Sequence, residues 1–192
     1  MTDSATHEIE IAGLQRSLPL FEVAPGVRIA VLNILGDTEL TEAAAGGLAV
    51  RLAALTYDVL VTAEAKSIPL VHALSIATGK PYVVLRKNYK TYMGDAVSAE
   101  TESITSGSTQ TLFLDAKDRA LVENARVVLV DDVISSGSTC AGMTEILAKV
   151  DADIVTQAAI LTEGEADAGD VIALGHIPVL TDSQAPAASS VG

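Results

Sequence analysis

The 192-residue chain has no tryptophan, two phenylalanines and a single cysteine, and only 12 of its residues are lysine or arginine. Each shortage excludes something. The lone Cys140 has no partner for an internal disulfide and no accompanying Cys/His cluster at zinc-binding spacing, so it reads as a small residue packed near the start of a helix. Twelve cations against 25 Asp and Glu leave a net charge of −13, which disfavours a nucleic-acid surface, because phosphate-backbone binding needs clustered Lys and Arg. Apolar runs are short and Arg51 interrupts the Ala-rich stretch, so no membrane span is expected. The opening MTDSATHEIEIAG has no basic region ahead of an apolar core, so no secretory leader is expected and the predicted location is the cytoplasm. His7, His72 and His176 share no spacing that suggests a metal site.

What is present suits one globular α/β domain. Hydrophobic residues make up 49% of the chain and charged residues 19%, with Ala, Val and Leu supplying the bulk that aromatics do not. Residues 1–17 read as loosely ordered, and the ending DSQAPAASSVG as a flexible tail. A hydrophobic strand is expected at 27–35. Leu40, Ala44, Leu48, Leu52 and Leu55 recur at helical spacing, although Gly46 and Gly47 each weaken that helix by roughly 1 kcal/mol unless they permit close packing. YDVLVT (57–62) and YVVLR (82–86) read as buried strands flanking a helix from Ile68 to Thr78 that Gly79 and Pro81 stop, a parallel βαβ unit. VSAETESITSGSTQTLFL (97–114) alternates on either side of Ser106, Gly107 and Ser108, a hairpin whose polar two-stranded ribbon would be marginal alone and therefore a mobile flap. RVVLV (126–130) and DIVTQAAILT (153–162) are further buried strands. Between them Ser138 or Thr139 is placed to cap a helix running to about Val150, and VIAL (171–174) and IPVL (177–180) close the domain as short extended pieces.

The most informative stretch is RVVLVDDVISSGST (126–139). Asp131 and Asp132 repel each other, and burying an ionised carboxylate without a partner is expensive. The loop that follows is built of small residues between a strand and a helix, where backbone amides and the helix N-terminus favour an anion. It lacks the lysine of GxxxxGK[ST] and the glycine spacing of the dinucleotide fingerprint. Carboxylates accept hydrogen bonds from hydroxyls, so a ligand carrying vicinal hydroxyls a few ångströms from a phosphate, such as a ribose 5-phosphate, satisfies both halves. Four of the twelve cations, Lys80, Arg86, Lys87 and Lys90, fall within eleven residues, which suits a polyanion at the end of a strand.

VVLVDDVISSGST resembles the 5-phosphoribosyl-1-pyrophosphate (PRPP) motif of type I phosphoribosyltransferases. TAEAKSIPLVHALS (62–75) resembles the pyrophosphate loop and following helix of the adenine and xanthine enzymes of that family, and PYVVLRKNYKTYM (81–93) resembles their Arg-Lys-x-x-Lys segment. The flap departs from the Tyr-x-Leu-Glu-Tyr-Gly pattern of adenine enzymes. Its VSAETESITSG is more similar to xanthine phosphoribosyltransferases and to the effector domain of a purine-operon repressor.

The resemblance implies the type I fold, a parallel sheet flanked by helices with a flexible hairpin flap and a small hood. It divides one domain, 1–192, into an N-terminal segment or hood (1–26), a core (27–182) with its flap at about 96–112, and a tail (183–192). It implies transfer of the phosphoribosyl group from PRPP to a purine (xanthine, adenine or guanine/hypoxanthine) in salvage, by a homodimer. Asp131 and Asp132 would accept from the ribose hydroxyls, and Ser135, Ser136, Gly137, Ser138 and Thr139 would hold the 5′-phosphate. Glu64, Ala65, Lys66 and Ser67 would form the pyrophosphate loop, while Arg86, Lys87 and Lys90 neutralise the leaving group. Mg2+ would be held mainly by PRPP and water rather than by protein ligands. Leu20, Phe21 and Glu163 are the candidates for the base pocket, and Glu100 or Glu102 could serve in the closed flap. A second reading is a non-catalytic PRPP-binding regulatory protein. Against its repressor form, no DNA-binding domain is expected ahead of residue 27 and the charge disfavours DNA.

Overall fold

A computed structural model of the chain describes residues 5–102, 109–164 and 171–181. The N-terminal residues form a hairpin of β1 (Thr6–Ile11) and β2 (Leu14–Ala24), followed by β3 (Val27–Ala30) and helix α1 (Thr38–Leu52). Then come β4 (Val59–Ala63), α2 (Ile68–Thr78) and β5 (Tyr82–Leu85), and a two-stranded ribbon of β6 (Val97–Glu102) and β7 (Thr109–Leu114). A single helical turn, α3 (Arg119–Val122), leads into β8 (Arg126–Ile134), α4 (Ser138–Ala148), β9 (Asp153–Glu163), β10 (Val171–Ile177) and β11 (Leu180–Thr181).

Five parallel strands in the order β10-β9-β8-β4-β5 make the central sheet, as the alternation of strand and helix predicts. Along β8, Val128 and Val130 pack with α1 and α2, while Val127 and Leu129 pack with α4, so each face of the strand has its own core. α2 matches its expected bounds and ends on Gly79 in the left-handed conformation. Gly47 explains the glycine pair in α1: a Cβ there would stand 3.0 Å from Leu174 Cδ2, so glycine lets α1 approach β10.

One expectation is corrected. Residues 6–17 are not loose: THEIEI and LQRSLPLFEVA pair in register from Thr6↔Pro19 to Ile11↔Leu14, with Ile11 and Leu18 buried. This hairpin joins β3 and β11 in a four-stranded sheet, β1-β2-β3-β11, which draws on residues from both sides of position 26. The ribbon, expected to be marginal alone, packs on the α4 layer. Ala99, Leu112 and Leu114 are buried on its inner face against Cys140, Met143, Ile146 and Leu147 of the α4 layer, and Lys149 Nζ donates to Ser98 O at 2.7 Å. The turn expected at Ser106–Ser108 and the expected tail at 183–192 lie outside the described residues. No helix among the described residues is long and apolar enough to cross a membrane.

The N-terminal hairpin is fastened to α1 by Arg16, whose guanidinium donates to both carboxylate oxygens of Asp37 at 2.9 and 3.1 Å and to Glu39 at 2.9 Å. Asp37 also caps α1, accepting from Leu40 N at 3.0 Å, and the Arg16 contact holds its carboxyl below the ordinary carboxylate range. Asp37→Ala is expected to lower stability by about 1–2 kcal/mol, since it removes the cap and the bidentate pair together, whereas Glu39→Ala at an exposed position changes it by less than about 0.5 kcal/mol. Urea unfolding midpoints of the two variants check the contrast.

Candidate functional site

In the central sheet β4 connects to β5 on one side, while β8 leads through α4 to β9 on the other. β4 and β8 are therefore neighbours at the point where the winding reverses, and such a crevice beyond the strands' carboxyl ends is where open α/β sheets bind ligands. The pairing of β4 with β8 ends at Thr62↔Val130. Beyond it β4 turns away through Glu64–Ser67, and β8 continues through Asp131 to Ile134 with no partner on that side.

Ser67 fills the gap. Asp132 N donates to Ser67 Oγ at 2.9 Å and lies 2.9 Å from Asp131 Oδ1, so the backbone donor left by the departing strand is satisfied by side chains. The single hydroxyl of Ser67 donates to Asp131 Oδ1 at 2.7 Å, and the same oxygen stands 3.2 Å from Asp132 Oδ1. Lys66 completes the cluster. Its ammonium lies 2.7 Å from Asp132 Oδ2 as an ion pair and donates to Leu32 O at 3.1 Å. Apart from this ion pair, Asp132 Oδ2 has no hydrogen-bond partner among the described residues. Burial, reinforced by the charge of Asp132, pushes the Asp131 carboxyl up to about 7.

The expected phosphate loop follows directly. Asp131, Val133, Ile134 and the whole of Ser135–Cys140 line one open depression at the N-terminus of α4. The helix begins at Ser138, but its N-cap is Gly137 in the left-handed conformation at φ 73°, not Ser138 or Thr139, and no side chain caps it. The orphan amides of the first turn are thus left for an anion. Cys140 is buried beneath the loop, and its thiol is pushed up to about 12 by burial, as its reading as a packed, unreactive residue requires.

Glu64 ties the neighbouring loop to the end of β5: its carboxylate accepts from Arg86 Nε at 3.0 Å and from Lys87 N at 2.9 Å. The Glu64–Ala65 peptide is cis. Lys87 and Lys90 are exposed and Arg86 is half-buried, with its guanidinium interacting with the Tyr92 phenol as well as with Glu64. Lys80 belongs elsewhere, packing over the Tyr57 ring at 5.5 Å. His72 likewise contacts the Tyr82 ring edge-on at 5.8 Å. Of the candidates for a base pocket, Glu163 is half-buried at the end of β9 and feels the charge of both His176 and Lys66. Burial raises its carboxyl above the ordinary range. Leu20 packs against the α1/α2 core, and Phe21 is 54% exposed on the N-terminal sheet. Glu100 is exposed, and the side chain of Glu102 lies outside the described residues. Sequence reasoning grouped Ser67 with the pyrophosphate loop but missed its bridge to the two aspartates, 64 and 65 residues away.

Residues 33–172 match the family described as the phosphoribosyl transferase domain. The chain belongs to that family. Among curated relatives, an HGPRTase-like protein 3 of Haloterrigena turkmenica is 38% identical over 135 residues, 70% of this chain and 69% of that one. A hypoxanthine/guanine phosphoribosyltransferase of Methanococcus vannielii is 35% identical over 108 residues, 56% of this chain and 55% of that one, so the match spans about half the length of such relatives. Crystal structures of adenine phosphoribosyltransferases from Thermoanaerobacter pseudethanolicus and Saccharomyces cerevisiae share the fold, each with a TM-score of 0.67 and 20% identity, covering 83% and 82% of this chain and 95% and 93% of theirs. The architecture is the type I phosphoribosyltransferase fold.

The raised Asp131 carboxyl gives this phosphoribosyltransferase-family site a pH signature. Between the ordinary carboxyl range and about 7, the folded chain keeps a proton that the unfolded chain has released, so the contribution of this group to stability falls as pH rises through that window and levels off above it. Unfolding measured from pH 5 to pH 8 should show the native chain losing stability relative to Asp131→Asn as pH rises. Parallel curves for the two would mean that Asp131 titrates normally.

Proposed function

We propose that the protein transfers the 5-phosphoribosyl group of PRPP to a 6-oxopurine, hypoxanthine or guanine, releasing pyrophosphate and forming the nucleoside monophosphate, in purine salvage. The observation that carries this reading is the pair of carboxylates bridged by Ser67 at the head of a five-residue loop on the same strand, a hydroxyl acceptor and a phosphate cradle side by side. The choice of base rests on the names of the relatives at 33–38% identity, which outweigh adenine-specific neighbours at 20%. Homodimer assembly and the division into hood, core and flap belong to the same reading, through the family resemblance.

In this reading the ribose hydroxyls donate to Asp131 and Asp132, and the amides of Ser135–Thr139 hold the 5′-phosphate. The amides and side chains of the 64–67 loop receive the pyrophosphate, and Arg86, Lys87 and Lys90 balance its growing charge as the glycosidic bond breaks. The reacting carbon becomes oxocarbenium-like, so the chain supplies positioning and charge rather than a covalent nucleophile. Glu163 would accept from a purine N–H, and the ribbon would close to exclude water. No group of three or more His, Cys, Asp or Glu among the described residues could hold a metal alone. Asp132 Oδ2, paired with the Lys66 ammonium, would face the waters of a Mg2+ carried in by the pyrophosphate, and such an ion would supply charge neutralisation there.

Pyrophosphate release from PRPP and Mg2+ should occur with hypoxanthine or guanine and be far slower with adenine, xanthine or orotate. Tight PRPP binding without release for any base would instead make the chain a regulatory PRPP binder. Asp131→Asn with Asp132→Asn should weaken PRPP binding by roughly a hundredfold or more while leaving the circular dichroism spectrum unchanged, because two charged hydrogen-bond acceptors are lost. Lys90→Ala should weaken PRPP more than ribose 5-phosphate, and equal losses would refute its role at the pyrophosphate.

A further inference from the structure

Arg86, at the end of β5, is joined to the ribbon by one residue. Arg86 N donates to Phe113 O and Phe113 N donates to Arg86 O, both at 2.8 Å, an isolated antiparallel bridge outside the named strands. Phe113 lies opposite Ser98 on the outer face of the ribbon, while Leu112 and Leu114 on either side turn inward and are fully buried against the α4 layer. Its ring centroid is 5.9 Å from that of Tyr89, with the planes tilted by 54°. Tyr89 stands between Lys87 and Lys90, and its hydroxyl donates to Gly94 O at 3.1 Å. The segment from Lys87 to Lys90 has neither helix nor strand to hold it. Its fixings among the described residues include Lys87 N to Glu64, Lys90 N to the Met93 sulfur, Met93 N to Lys90 O at 2.9 Å, and the Tyr89 contacts.

We propose that Phe113 is a positioning residue for the transfer reaction, its backbone fixing Arg86 and its ring, through Tyr89, fixing the loop that carries Lys87 and Lys90. The inference rests on the reading of those three cations as the pyrophosphate site. Phe113 suits the task because its immediate neighbours anchor it in the core, so the outward ring is a fixed surface against which an irregular loop settles. A charge displaced by even an ångström loses much of its value in the transition state.

Phe113→Ala keeps the backbone bridge and removes the ring. It should raise the Kd and KM for PRPP about threefold to tenfold, the range of one aromatic pair, while the Kd for ribose 5-phosphate changes by less than about twofold. Phe113→Tyr should restore PRPP affinity. Tyr89→Ala should reproduce the loss from the other side of the contact, and the double variant should be no worse than the poorer single one, since both remove the same interaction. Equal losses for PRPP and ribose 5-phosphate, or losses that add in the double variant, would overturn the proposal. Where Phe113→Ala fails to fold, Tyr89→Ala and its ligand selectivity decide alone. Lys90→Ala separates the two levels. If it too leaves PRPP affinity unchanged, the site reading falls and the proposal with it; if it acts as expected while Phe113→Ala and Tyr89→Ala do not, only the proposal falls.

Discussion

The hydroxyl of Ser67 holds together two carboxylates that electrostatics drives apart, and the site is arranged around that contact. β8 outruns β4 by the stretch that carries Asp131 and Asp132, and at that point a buried backbone N–H has lost its strand partner. An N–H without an acceptor in the interior costs as much as a lost hydrogen bond. Ser67 accepts it while donating to Asp131, and because Ser67 is also the N-cap residue of α2, although its side chain makes no cap hydrogen bond, the same residue ties the helix start to β8. Strand end, acidic pair and helix start therefore form one unit. Moving any of them exposes an unsatisfied donor or an unscreened pair of charges.

Two cations of the site, Lys66 and Arg86, are paired in the same way. Lys66 faces Asp132, and Arg86 faces Glu64, so in a chain of net charge −13 the positive groups near the crevice rest on internal carboxylates. Binding then becomes an exchange of partners. A simple anion that drew Lys66 away would leave Asp132 buried and uncompensated, which is strongly unfavourable. A polyol without charge could satisfy the acids but would leave the lysine and arginine where they were. Only a ligand that offers hydroxyl donors and anionic groups together replaces every pair it breaks. In the proposed reading, the pre-paired state would favour a phosphorylated sugar over phosphate or free sugar.

Much of this was legible in the chain. The α2 boundaries, the buried runs of β4, β5 and β9, and the loop at 135–139 are local signals: apolar strings, a left-handed glycine, small residues before a helix. The N-terminal hairpin carried a signal too, since His7, Ile9 and Ile11 alternate with Thr6, Glu8 and Glu10, but its polar composition resembled a loose end more than a strand. Gly137 as the N-cap was obscured because Ser138 and Thr139 are better cap formers by propensity. The bridge from Ser67 to Asp131 and Asp132 was not legible at all. It depends on β4 and β8 becoming neighbours across more than sixty residues, and nothing local to SIPLVHALS marks one serine as the acceptor for a distant strand.

The ribbon shows how the same limits act on motion. Its alternation was read correctly, but alternation alone does not say what covers the apolar face. Ala99, Leu112 and Leu114 lie on α4, the helix that follows the proposed phosphate loop, so the base of the ribbon is part of the core rather than a lid resting on it. In the proposed reading, the rungs from Val97↔Leu114 to Ala99↔Leu112 would stay with the core during any closure. Because Phe113 belongs to those rungs, Arg86 is bridged to the core-packed part of the ribbon. A cation that must meet the leaving group as its charge grows gains most from being in place before the lid moves, since no reorganisation is then left for the moment of reaction.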